Sequence, residues 1–94
     1  MSLIRIPPTL REETGGEREV LAEGDNVREL LDDLTSRFPA LRERIIRDED
    51  VAPFVNVYVD GEDVRTRGGL DTPVEIASTV ILLPAMAGGF ASTS

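Results

Sequence analysis

The sequence predicts an α+β domain of two layers, with one main helix packed on a mixed sheet of four or five strands. Three observations carry this expectation. Asn26 to Phe38 is the one long stretch with the apolar spacing of an amphipathic helix. Short β-prone runs lie on both sides of it, the clearest being Phe54-Val55-Asn56-Val57-Tyr58-Val59. The first and last such runs, near residues 3–6 and 79–83, cannot be joined by a hairpin, so they are expected to pair in parallel at the centre of the sheet.

Each element has its own warrant. Leu3-Ile4-Arg5-Ile6 is a short strand closed by Pro7-Pro8, and Thr9 to Glu13 is polar and ends in the turn signal Thr14-Gly15-Gly16. Glu17 to Leu21 then returns as the second arm of a β-hairpin. Asn26 caps the helix, with Glu29 three residues on as its capping-box partner. Val27, Leu30, Leu31, Leu34 and Phe38 form one stripe, while Asp33 and Arg37 are spaced for an i,i+4 ion pair worth only a few tenths of a kcal/mol. Pro39 ends this helix and opens a shorter one carrying Leu41, Ile45 and Ile46. Asp48-Glu49-Asp50 reads as a solvated acidic loop, because three adjacent carboxylates lack the spacing of a calcium loop.

The best strand, Phe54 to Val59, should turn Val55, Val57 and Val59 inward and Phe54, Asn56 and Tyr58 outward. Asp60-Gly61 is a tight turn, Glu62 to Arg65 a brief returning strand, and Arg67-Gly68-Gly69 a loop that opens no helix and so cradles no phosphate. Leu70 to Glu75 is read as a loop containing Pro73, and Thr79 to Leu83 as a final strand stopped by Pro84. The resulting order is the β-grasp arrangement.

Composition excludes much chemistry. The chain has 94 residues, enough for one domain with one core. Without cysteine there is no disulfide, thiolate nucleophile or thiolate metal site, and without histidine the commonest general base and zinc ligand is missing. All ten basic residues are arginine, so no side-chain amine can receive an isopeptide bond. A formal net charge of −8 argues against nucleic acid and anionic membranes as partners and for basic ones. No signal peptide or membrane span is legible, and a cytoplasmic location is expected.

The C-terminal segment remains. Residues 1–84 read as the folded domain, Ala85-Met86-Ala87-Gly88-Gly89 as a thin tail, and Phe90 to Ser94 as an extension. Extended, Ala85 to Gly89 reach roughly 17 Å at about 3.4 Å per residue, far enough to enter a buried site in another protein. Gly88 and Gly89 have no Cβ, so their backbone can approach another surface closely. Composition alone is equally satisfied by a frayed terminus that happens to hold two glycines. On the sheet, alternation turns Val80 and Leu82 inward and leaves Ile81 and Leu83 outward beside Phe54 and Tyr58, a candidate docking patch whose bland alternative is scattered surface apolar side chains.

Several stretches in order carry a resemblance. They are Ile6-Pro7 through Leu10-Arg11 with Thr14-Gly15-Gly16, then Phe54 to Val59 with Glu62-Asp63-Val64-Arg65, then Gly68-Gly69-Leu70, and last Leu83-Pro84-Ala85-Met86-Ala87-Gly88-Gly89. On these the chain resembles the ubiquitin-like sulfur-carrier family that contains the ThiS and MoaD proteins, most of all its branch in actinobacterial cysteine biosynthesis.

The resemblance implies that the chain is not an enzyme but a protein co-substrate. An ATP-using activating enzyme of the ubiquitin-activating type would adenylate Gly89, and a sulfur donor would convert it to a thiocarboxylate. In the cysteine branch the acceptor is held by a PLP enzyme, and a zinc metalloprotease regenerates the carrier; relatives with C-terminal extensions are matured by a metalloprotease of the JAMM type. ATP, zinc and PLP would belong to these partners, with no cofactor held by this chain. Members of this kind usually end at Gly-Gly, so Phe90 to Ser94 imply maturation by cleavage of the Gly89–Phe90 bond, with a cloning remnant as the competing origin. A ubiquitin-like protein modifier and a small subunit of a molybdopterin-synthase-like enzyme both require the same tail.

Overall fold

The computed structural model describes residues 1–84. Strand β1 (Ser2–Arg5) pairs antiparallel with β2 (Glu19–Ala22), Leu3 lying opposite Leu21. The hairpin is as expected, but its connection is more than a loop. Pro8–Thr14 winds into a 3₁₀ helix that buries Leu10 and Thr14. Pro8 pre-sets the first turn, and Leu10 supplies an apolar anchor that the surrounding polar residues concealed from a periodicity reading. Gly15 and Gly16, at φ 68° and 90°, then reverse the chain.

Helix α1 (Val27–Arg37) buries Val27, Leu30, Leu31 and Leu34 to within 1% of complete, while Phe38 packs at the margin of the core. Each such side chain removed from water is worth about 1.5–3 kcal/mol. The Asn26 side-chain oxygen accepts from the Glu29 N–H at 2.9 Å, as the sequence predicts. The reciprocal bond is shifted by one residue: the Glu29 carboxylate accepts from the Asp25 N–H, also at 2.9 Å. Helix α2 (Pro39–Ile45) buries Leu41 and Ile45. Ile46 does not belong to it. It starts β3 (Ile46–Arg47), which pairs with β4 (Asp50–Val51). The expected acidic loop is therefore a tight hairpin, turned by Asp48 and Glu49 at φ 53° and 64°. Aspartate tolerates that region, but two successive positive φ values carry no signal in a run of three acids.

Strand β5 (Val55–Val59) alternates as predicted, with Val55, Val57 and Val59 buried. Asp60 and Gly61 turn it into β6 (Glu62–Asp63), which stops two residues short of the expected end. The predicted loops beyond it contain two 3₁₀ turns, Val64–Thr66 and Gly69–Asp71, which carry Val64 and Leu70 into the core. The last strand, β7 (Thr79–Pro84), runs through Pro84 rather than stopping before it, and Pro84 lies opposite Val55. A proline at a strand end costs the ladder only one donor.

The five-stranded order is β2-β1-β7-β5-β6, with β1 and β7 parallel at the centre and the other pairs antiparallel. Ile4, Val20, Val57, Val80 and Leu82 face the same core as the α1 stripe. This is the ubiquitin-like β-grasp fold. No described helix is long and apolar enough to cross a membrane.

Candidate functional site

The last described residue, Pro84, ends the central strand. The described chain therefore ends at the end of a central strand and not of an edge strand. Ala85, Met86, Ala87, Gly88 and Gly89, and the Gly89–Phe90 bond, lie outside the described residues, and the described part of the candidate site is the surface around Pro84.

Register brings the predicted docking residues together. Tyr58 lies directly opposite Ile81 in the β5–β7 ladder, and Leu83 lies opposite Asn56. With their neighbours Val57, Val80 and Leu82 buried on the helix side, Tyr58, Ile81 and Leu83 share the outer face. Leu83 is 43% exposed, and Ile81 and Tyr58 are half-buried. Phe54 stands just ahead of β5 and is also 43% exposed. Its ring lies under the Arg47 guanidinium at 5.2 Å, within cation–π range. One cross-strand row runs over the whole sheet, from Glu19 through Arg5, Ile81 and Tyr58 to Asp63.

Arginines that sequence reasoning did not single out frame this face. Arg5 pairs with Glu19 at 3.4 Å. Arg65 donates to the Asn56 side chain at 2.6 Å and to the carbonyls of Ala52 and Val55 at 3.0 and 2.8 Å. It thus holds the start of β5, beside the residues that pair with Leu83 and Pro84. On the other side of β7 a groove of about 400 Å³ opens between the end of β1 and Leu83, with Arg5, Arg11 and Arg18 in its lining. None of these contacts is readable from local spacing, because each joins segments brought together only by the sheet.

Among the described residues, no group of three or more acidic side chains is placed to hold a metal ion. The most specific feature of the described arrangement is the end of a central strand set among apolar and arginine side chains.

Comparison with known proteins agrees with this fold. The chain is 39% identical over 89 residues to the sulfur carrier protein CysO of Mycobacterium tuberculosis, which covers 92% of this chain and 96% of that one. A chain in the crystal structure of the Amycolatopsis orientalis BexX/CysO complex superposes with a TM-score of 0.89 at 44% identity, covering 95% of this chain and all of that one. The small archaeal modifier protein 1 of Methanosarcina acetivorans superposes with a TM-score of 0.83 at 26% identity, over 94% and 95% of the two chains. The ThiS family model matches residues 4–89, and the chain belongs to the ThiS family.

Proposed function

We propose that this chain is a sulfur carrier whose reactive atom is the carbonyl carbon of Gly89. The observation that carries the reading is the span of the family match, which runs through the described domain and ends on the second glycine of the tail. The 39% identity to a sulfur carrier over nearly the whole chain supports the same class.

In this reading, hydrolysis of the Gly89–Phe90 bond releases residues 90–94 and leaves a free glycyl carboxylate. A JAMM-type zinc metalloprotease is the proposed agent. An activating enzyme couples that carboxylate to AMP at the expense of ATP, with pyrophosphate leaving. A sulfide equivalent then attacks the acyl carbon, AMP departs, and a thiocarboxylate remains. A PLP-dependent synthase or another sulfur-transfer enzyme consumes it in making cysteine or a sulfur-containing metabolite. The chain itself contributes position. Its domain docks through Phe54, Tyr58, Ile81 and Leu83, and the extended tail carries Gly89 up to roughly 17 Å beyond Pro84. A relative solved as a BexX/CysO complex supports docking to another protein.

Mass spectrometry tests the blocked terminus. Incubated with activating enzyme, ATP and sulfide, a chain ending at Gly89 is expected to gain the mass difference of one sulfur replacing one oxygen. The chain continuing to Ser94 is expected to stay unchanged, and the same gain on it overturns the maturation step.

The likeness to a small archaeal modifier protein favours a second reading, attachment of Gly89 to other proteins. Denaturing gels of cell extract separate the two: a ladder of resistant conjugates supports the modifier, and its absence the carrier.

A further inference from the structure

We propose that the arginines with no carboxylate partner among the described residues form a collar about Pro84, the described end of β7, and that this collar docks an acidic, extended segment of the protein that receives the tail. The inference rests on the carrier reading above and adds the chemistry of the partner's surface.

Six of the ten arginines are ion-paired with a carboxylate among the described residues. The four others are Arg11, Arg18, Arg47 and Arg65: Arg11 and Arg18 lie in the groove beside β7, and Arg47 and Arg65 lie at the start of β5, whose first residues pair with the end of β7. Arg11 and Arg18 line the groove beside Ile81 and Leu83. Across β7, Arg65 grips Asn56 and the Val55 carbonyl, opposite Leu83 and Pro84. Arg47 lies over Phe54, the residue before β5. In a chain of net charge −8 these cations are where pairing would be expected first. Within the groove Arg5 has its acid in Glu19, whereas Arg11 and Arg18 have none among the described residues.

Two of the four are held in place by the fold. The Arg11 Nε–H donates to the Ile6 carbonyl at 3.1 Å, and its own carbonyl accepts from Gly16 at 2.7 Å. Arg65 makes its three bonds to the start of β5. Both guanidinium groups are therefore pre-organised, so less side-chain entropy is lost on docking. Screening over about 8 Å at physiological salt makes the local charge count for more than the net charge of the whole chain.

The chemistry of the groove selects the occupant. Apolar Ile81 and Leu83 lie beside cations, with Glu19 the sole acid in the lining and itself neutralised by Arg5 at 3.4 Å. An extended segment alternates its side chains, so one that alternates apolar and acidic residues satisfies both surfaces. The collar is assigned no part in the chemistry proposed at Gly89. Its work is encounter and register.

The test is an NMR titration of the full chain with an octapeptide alternating Glu and Leu, against the matching Lys and Leu peptide. Saturable shifts are expected at the Arg11 and Arg18 side-chain N–H groups and at the Ile81 and Leu83 amides, weakening with added salt. The Lys peptide should give none. In the R11E/R18E double variant, affinity is expected to fall by at least about tenfold. Arg18→Glu alone, whose side chain makes no hydrogen bond among the described residues, carries the comparison if the double variant unfolds. Absence of saturable shifts, equal shifts in the charge-reversed variants, or the same pattern from inorganic phosphate at equal ionic strength overturns the proposal. Thiocarboxylation of the chain ending at Gly89 is scored separately: its failure removes the carrier reading, whereas failure of the peptide removes only the collar.

Discussion

Two residues illustrate how differently single positions constrain this chain. Gly24 lies where β2 gives way to α1. A Cβ there would sit 2.7 Å from the Glu29 Cβ and 2.7 Å from the Leu30 nitrogen, and backbone of a helix turn cannot retreat as a side chain can. Gly24→Ala is therefore expected to destabilise the fold by about 1–3 kcal/mol, the usual cost of forcing volume into a packed site. A denaturant midpoint shift at unchanged slope checks this, and a stability equal to the parent contradicts it. Leu83 is the opposite case. It is 43% exposed on the outer face, so the core does not depend on it. Leu83→Asp should leave the thermal midpoint nearly unchanged while reducing activation of Gly89 by at least about tenfold, since a buried carboxylate in a docked interface is costly. Undiminished adenylation by the activating enzyme would remove Leu83 from the docking surface. Ile81, half-buried and opposite Tyr58, serves as the companion substitution.

The elements show which kinds of information a sequence carries. The Asp33–Arg37 pair was assigned a few tenths of a kcal/mol from its spacing, and the two side chains do meet at 3.3 Å. They also do something that spacing cannot reveal. Asp33 accepts from the Glu23 N–H at 2.9 Å, and Arg37 donates to the Leu21 carbonyl. One ion pair on α1 thus occupies backbone groups along the outer edge of β2, an edge otherwise open to another strand. Asp33→Ala is accordingly expected to cost about 1 kcal/mol, more than an exposed pair alone. Amide exchange should show Glu23 losing protection first, and unchanged protection there would contradict the edge contact. The α1 stripe, the β5 alternation and the parallel pairing of the terminal strands were legible because each follows from local period or chain connectivity. Leu10, the Asp48-Glu49 turn and the 3₁₀ turns at Val64 and Leu70 were not, because one buried side chain in a polar segment has no period. The outer-face patch was legible for the same reason as the strands, whereas the arginines around it depend on contacts such as Arg65 with Ala52, thirteen residues away.

At the scale of the whole molecule, folding and the proposed chemistry are divided along the chain. The described core closes between Ile4 and Leu82, with both central strands, both helices and the 3₁₀ segments contributing to it. The proposed chemistry lies entirely beyond Pro84. Such a division fits a protein lacking cysteine, histidine and lysine, because the domain has few side chains with which to catalyse and need only present a carbonyl. It also makes a quantitative prediction. A chain ending at Pro84 is expected to unfold with the same denaturant slope as a chain ending at Gly89, and with a stability within about 0.5 kcal/mol of it, the range of surface changes remote from packing. The two should then part completely in function: the shorter chain still competes for the activating enzyme through Tyr58, Ile81 and Leu83, yet it takes up no AMP and no sulfur. Competition measured as inhibition of thiocarboxylation separates domain docking from tail insertion. If the shorter chain fails to inhibit, recognition resides in the tail and the outer face of the sheet loses its role; if it unfolds at markedly lower denaturant, the boundary at Pro84 is misplaced.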